Sequence, residues 1–130
     1  MKYRELYEIM PFQVVDLVCE YKGVTAREMR GKSRKQELVM ARIMTAYLFL
    51  YIGWGLRTTG ELMDRDHASI SHYKKIILSN SDVLVNQNIN GLRVVLYDKR
   101  IFVPSLNQFK RKLDKRKKDR RSWRKRNINK

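Results

Sequence analysis

The sequence predicts an all-α fold: a small helical bundle with a helix-turn-helix, followed by a basic C-terminal extension. Apolar residues recur three and four apart in successive runs, the period of helices with one buried face. Glycines, a proline and capping residues divide those runs into helix-length pieces. Between Arg57 and Leu78 a short helix, a tight turn and a helix with a polar face follow in order, the organisation of a helix-turn-helix. By these signs residues 1–80 form the helix-turn-helix domain and 81–113 an extension. Residues 114–130 form a basic tail expected to be disordered or to fold on binding.

Phe12, Val15 and Val18, with Leu17 and Tyr21, lie at helical spacing after Pro11, a residue tolerated in a first turn. Gly23 ends that helix. Thr25 then reads as an N-cap, and Glu28 completes a capping-box pattern for a short helix through Arg30, closed by Gly31. After the polar linker Ser33-Arg34-Lys35, a helix from about Gln36 to Ile52 is apolar on nearly every face, which places it mid-bundle. Arg42 is the exception. Gly53-Trp54-Gly55 breaks the helix, and a short one follows from about Arg57 to Met63, with Leu56, Gly60 and Met63 inward. In the next, Ile70, Tyr73 and Ile77 share one face, while His67, Ser71, Lys74 and Leu78 share the other. Beyond Ser79, the spacing of Val85, Ile89, Leu92 and Leu96 favours another helix, with Gly91 and the β-branched residues keeping a hairpin as the alternative. Pro104 marks a break, Ser105 a cap, and Leu106, Phe109 and Leu113 a narrow apolar stripe.

At 130 residues the length is that of one domain, and 43% hydrophobic residues supply a core. The net charge of +16 is uneven. Residues 1–98 hold 14 Lys and Arg against 11 Asp and Glu, or +3; residues 99–130 hold 15 against 2, or +13. A balanced body with a basic tail implies a polyanion partner, the alternative being a solvated tail that aids solubility. Cys19 is the single cysteine, so no internal disulfide forms, and a reducing compartment is expected. In its apolar run it reads as a buried, inert thiol. The opening MKYRELYEIM lacks the apolar segment of a signal peptide. The apolar run from Ile43 to Leu56 is shorter than the ~20 residues of a membrane span.

The segment MDRDHASISHYKKI, Met63 to Ile76, gathers two aspartates, an arginine and two histidines. A metal site needs histidines at i, i+4, but His67 and His72 are five apart, and no second Cys or His cluster completes a shell. An acid/base pair of Asp66 and His67 diverges on a helix, and no phosphate loop or nucleophile elbow exists. DNA recognition needs less. Asp64 or Asp66 can cap the helix, and its first residues, Asp66, His67, Ala68 and Ser71, sit where recognition helices meet base edges. Asp accepts from cytosine N4, Ala packs on a thymine methyl, and Ser reaches an edge or a phosphate. Lys74 extends the same polar face. On chemistry alone, Asp66 as a mere cap and His67 as an ordinary exposed residue stand level with this reading.

VCEYKGVTAREMRGKSRKQELVMARIMTAYL, Val18 to Leu48, resembles the opening of the C-terminal DNA-binding domain of the bacterial replication initiator DnaA. In that family, of the Trp-repressor-like helix-turn-helix class, V-x-E-Y-x-G-V leads through S-K-S-R-K to A-R-Q-I-A-M-Y-L. TGELMDRDHASISH, Thr59 to His72, is similar to the family signature I-G-x-x-F-G-x-R-D-H-x-T-V. The resemblance covers about residues 10–80. It implies that Arg42 reaches into a minor groove, that Asp66 and His67 meet major-groove base edges, and that Arg65 lies at or near the backbone. It further implies phosphate contacts from Ser69, Lys35 and Arg34. Ala68 stands where the family has Thr or Ser, Thr59 where it has Ile, Tyr73 where it has a small residue, and the segment before the signature is slightly short. These departures bear on the recognition sequence, at about 1–3 kcal/mol per lost base contact, more than on the fold. The initiator's ATPase motor has no counterpart here, so a free-standing DNA-binding domain is expected, a form suited to a bacteriophage or mobile element.

The expected function is sequence-selective binding of double-stranded DNA. The tail residues Lys110, Arg111, Lys112, Lys115, Arg116, Lys117, Lys118, Arg120, Arg121, Arg124, Lys125 and Arg126 are expected to hold phosphates. The alternative is a packaging protein that binds nucleic acid without base specificity, with Trp123 free to stack on single strands. Host or phage replication proteins are further candidate partners. No enzymatic activity, cofactor, metal, membrane or small-molecule substrate is expected, and the cytoplasm is the expected location. Nothing in the sequence marks a dimer seam.

Overall fold

The computed structural model describes residues 2–116. A 3-10 turn at Leu6–Glu8 precedes α1 (Pro11–Lys22), α2 (Ala26–Arg30), α3 (Gln36–Ile52), α4 (Leu56–Met63), α5 (His67–Ser79) and α6 (Val83–Asp98). A further helix, α7, occupies residues 106–116. Among the described residues no strand forms, and the one extended pairing is an isolated parallel bridge between Arg4 and Ile101.

α3 is the axis of the bundle. Every side chain from Met40 to Leu50 is buried, because α1, α2, α4, α5 and α6 all pack around it. A helix enclosed on every side has no face to give to water, which accounts for its apolar residues all round. The helix ends follow local chemistry. α1 begins at Pro11 and stops where Gly23 turns left-handed at φ 70°. α2 opens on the reciprocal Thr25–Glu28 box, both hydrogen bonds at 3.0 Å. In α1 the expected Phe12 is exposed instead of buried. The face turned to α3 and α6 keeps Val15 and Val18 of the expected stripe and adds Val14 and Cys19, while Leu17 and Tyr21 are partly buried beside them.

The segment after Ser79 is helical, not a hairpin. Asp82 Oδ1 accepts the Val85 N–H at 3.1 Å, and Val85, Ile89, Leu92 and Leu96 are all buried. Each such side chain contributes about 1.5–3 kcal/mol relative to exposure, which outweighs the helix cost of one glycine at about 1 kcal/mol. Gly91 has a packing reason: a Cβ there would lie 2.0 Å from the Tyr21 hydroxyl. The chain then returns along the core. The Tyr47 hydroxyl donates to Pro104 O at 2.5 Å, and the Tyr47 and Phe109 rings stand 4.8 Å apart. Burial raises the Tyr47 pKa, so the phenol stays protonated as a donor. Ser105 and Gln108 cap α7 reciprocally at 3.2 and 2.8 Å.

Two cations counted with the basic tail are drawn into the body. Lys112 Nζ donates to Tyr51 O at 2.7 Å and sits 4.0 Å from the Tyr51 ring centroid. Arg116 donates to Leu50 O and Tyr51 O, both at 3.0 Å. The last carbonyls of α3 lack intrahelical donors, and cations at a helix C-terminus satisfy them and complement the dipole. Lys112 and Arg116, expected among the phosphate-holding residues, thus tie α7 to the end of α3. Lys117, Lys118, Arg120, Arg121, Arg124, Lys125 and Arg126 lie outside the described residues.

Candidate nucleic-acid interface

The turn between α4 and α5 is built from Gly60 to Asp66. Asp64 takes the left-handed conformation at φ 56°, ψ 49°, a region aspartate tolerates better than most residues. The Arg65 N–H then donates back to Gly60 O at 2.8 Å. A Cβ on Gly60 would lie 2.4 Å from Arg65 O, so only glycine lets the returning chain come this close. Asp66 follows as N-cap, its Oδ1 accepting the Ser69 N–H at 2.8 Å. That hydrogen bond, then one from the Ser69 hydroxyl, holds the Asp66 pKa below its ordinary value, with smaller contributions from His67 and Arg65.

Ile70, Tyr73 and Ile77 anchor α5 to the core, which turns the opposite side outward. A groove between the α2–α3 loop and the start of α5 is lined by Lys32, Arg34, Val39, Arg42, Arg65, Asp66, Ala68, Ser69, His72 and Tyr73. The structure thus brings Arg34, Arg42, Arg65, Asp66, Ala68 and Ser69 to one place. His67 is exposed between Asp66 and Ala68 as the first residue of α5. Lys35 is exposed at the start of α3. Ser71 is partly exposed, and Lys74 lines a separate cleft beside Trp54 and Leu78.

Arg42 does not extend outward as the resemblance implies. It is 4% exposed. Its Nε donates to Met29 O at 2.8 Å, Nη1 to Ser33 O at 2.6 Å, and Nη2 to Gly31 O at 2.9 Å and Glu28 O at 3.3 Å. Arg65, expected at or near the DNA backbone, donates to the same loop: Nη2 to Gly31 O and, at 3.1 Å, to Met29 O, and Nη1 to Arg30 O at 3.4 Å. The reason lies in α2, which has five residues and leaves its last carbonyls without intrahelical donors. Two guanidiniums supply them. Burial, then the neighbouring Arg65 charge, lowers the Arg42 pKa.

The family model described as the bacterial DnaA protein helix-turn-helix matches residues 11–77, which takes in α1 to α4 and nearly all of α5. The chain belongs to the bacterial DnaA helix-turn-helix family. It is also 34% identical over 61 residues to the chromosomal replication initiator protein DnaA of Pseudothermotoga lettingae. That stretch is 46% of this chain and 14% of the relative, so the chain matches a small part of the relative's length. α6 and α7 follow the part that matches the DnaA helix-turn-helix model.

Three residues of the groove and its rim are not singled out by the sequence patterns. Lys32 lines the groove from the α2–α3 loop. His72 and Lys75 are exposed and follow Ala68 at i+4 and i+7. That spacing is legible in the sequence. Among the described residues no three His, Cys, Asp or Glu gather to hold a metal, and no helix is long and apolar enough to cross a membrane.

Proposed function

We propose that this chain binds double-stranded DNA by placing α5 in a major groove and reads sequence with the first turn of that helix. The observation that carries this is the exposed run Asp66-His67-Ala68 at the mouth of a groove rimmed by Lys32 and Arg34, in a chain of the DnaA helix-turn-helix family. Recognition helices meet base edges with their N-terminal residues. His67 and Ala68 then read bases directly. Asp66 has one oxygen committed to Ser69 and uses the other to accept from a cytosine amine. Lys32, Arg34, Lys35, Ser69, Ser71, Lys74 and Lys75 hold phosphates on either side. Arg42 and Arg65 act one step back, fixing the loop that carries Lys32 and Arg34.

The basic arm supplies affinity without sequence. Lys110, Arg111 and Lys115 are exposed on α7, and the rest of the charge follows in sequence. If about six phosphates are engaged, affinity falls roughly a thousandfold between 50 and 200 mM salt. The binding serves control of replication initiation or local transcription, directly or by competing for an initiator's sites, and involves no catalysis. The +13 charge of residues 99–130 favours a second reading, packaging without base preference.

Selection of bound sequences from a random duplex pool tests the first reading. A recovered motif bound at least a hundredfold tighter than its scrambled version supports sequence readout. A preference of about tenfold or less near 150 mM salt favours packaging.

A further inference from the structure

α7 lies beyond the part of the chain that matches the DnaA helix-turn-helix model, which ends at residue 77. Leu106, Phe109 and Leu113 turn it to the core, and Lys112 and Arg116 fasten it to the end of α3. Two clefts fix its place beside α5. Leu106, Asn107 and Lys110 share one with residues 77–80 at the end of α5. Leu113, Asp114 and Arg116 share the other with Lys74 and Leu78, next to the Gly53–Leu56 turn ahead of α4. α7 therefore starts at the far end of α5 and runs back along its flank. Its outward side is basic: Lys110, Arg111 and Lys115 are exposed, against Asp114 as the exposed acid of this helix.

We propose that α7 is a backbone clamp, a helix docked on α5 so that Lys110, Arg111 and Lys115 hold phosphates on one flank only of the DNA site. This rests on the reading that α5 enters a major groove, and it adds a direction to that reading. Lys74 makes the connection. It shares the polar face of α5 with His67 and Ser71, about two turns beyond His67, and it also lines the cleft against α7. A backbone that reaches Lys74 has α7 as its next neighbour.

The attachment is what gives the contact a side. Cations on a loose chain meet phosphates on either flank alike. A helix tied to Leu50 O and Tyr51 O, with Phe109 against Tyr47 in the core, stays on one. Its backbone is also ordered before DNA arrives, so binding does not have to order it. Lys110 and Lys115 are five residues apart, about 7.5 Å along the helix, which matches roughly two base pairs of duplex. Such contacts carry no sequence information and set the orientation of the protein on the duplex.

Directed cleavage on a duplex recovered by selection tests this. Arg111→Cys and Lys115→Cys are each labelled with an iron chelate that cuts DNA close to it, in the whole chain, whose Cys19 is buried. Both should cut the same flank of the motif, at least tenfold more than the other flank. Lys110→Gln, Arg111→Gln and Lys115→Gln combined should erase hydroxyl-radical protection on that flank and leave the motif protected. The same triple variant should lower the slope of affinity against salt by about 2–3. Equal cutting on both flanks, or none, would overturn the clamp, and so would a flank still protected in the triple variant. Wild type that protects no motif at all would overturn the reading of α5 and the clamp with it, which keeps the two failures apart.

Discussion

Arg42 and Arg65 share the carbonyl oxygens of Met29 and Gly31. Arg42 Nε and Arg65 Nη2 donate to Met29 O at 2.8 and 3.1 Å, and both guanidiniums donate to Gly31 O. One comes from the middle of the buried axis and the other from the turn of the helix-turn-helix. The end of α2 is therefore the joint at which the basic loop, the core and the start of α5 are set relative to one another. Hydrogen bonds from a charged donor to buried carbonyls contribute about 1.5–3 kcal/mol each at most, and their loss strands the acceptors.

Removing that joint should be costly. Arg42→Ala is expected to lose about 3 kcal/mol of unfolding free energy, read from urea melts, because the Ser33 carbonyl loses its donor outright and those of Glu28, Met29 and Gly31 each lose one. Arg42→Lys should recover little, since one ammonium cannot span four oxygens. A loss under about 0.5 kcal/mol would mean that the guanidinium is held elsewhere.

Thr59 predicts the opposite sign. Its side chain is fully buried and its Oγ1 has no hydrogen-bond partner among the described residues. Thr59→Val removes an unsatisfied hydroxyl at nearly constant volume and should stabilise by about 1 kcal/mol, seen as a higher urea midpoint with an unchanged slope. A destabilised variant would show that the hydroxyl does find a partner.

Gly60→Ala should destabilise by about 1–3 kcal/mol through overpacking against Arg65 O. It should also weaken binding to a selected DNA site more than to random DNA, because the turn that aims Asp66 and His67 must shift. Retained specificity in a folded Gly60→Ala chain would count against the turn as the aiming element.

The readout and the arm should separate. His67→Ala is expected to lose about 1–3 kcal/mol on a selected site and far less on random duplex. Deleting residues 117–130 should weaken both about equally and flatten the salt dependence, since it removes charge and leaves Lys112 and Arg116 on α3. Titrations at two salt concentrations measure both, and a deletion that abolished only specific binding would reverse these assignments.

Asp66 sets a pH dependence. Its folded pKa is depressed by the Ser69 N–H below the ordinary 3.8. A depressed carboxyl adds stability that is complete above its unfolded pKa and is lost as the pH falls through the folded one. The stability difference between wild type and Asp66→Asn should therefore be constant above about pH 5 and fade on acidification below 3.8. A difference unchanged down to pH 2 would mean that the charge takes no part in the cap.

Most elements are legible in the amino-acid sequence because their signals are local. Pro11, Gly23, the Thr25–Glu28 box, the Asp66 cap and the period of Ile70, Tyr73 and Ile77 act within a few residues of themselves. The α6 stripe of Val85, Ile89, Leu92 and Leu96 is equally plain. A hairpin stands as its alternative only because Gly91 answers to Tyr21, seventy positions away. Phe12 misleads for a similar reason: on a helix touching several neighbours, which apolar residues go inward depends on where those neighbours stand.

What the sequence determined by itself was the order of helices, their caps and the acidic-histidine turn that starts α5. Tertiary structure alone decided how the cations are used. Arg42, Arg65, Lys112 and Arg116 read as charges for a ligand. A guanidinium or ammonium goes, however, to the nearest oxygens without donors, and folding brings the C-terminal carbonyls of α2 and α3 within their reach. Which carbonyls lie within reach of which cation is a distance in space, and no spacing along the chain encodes it.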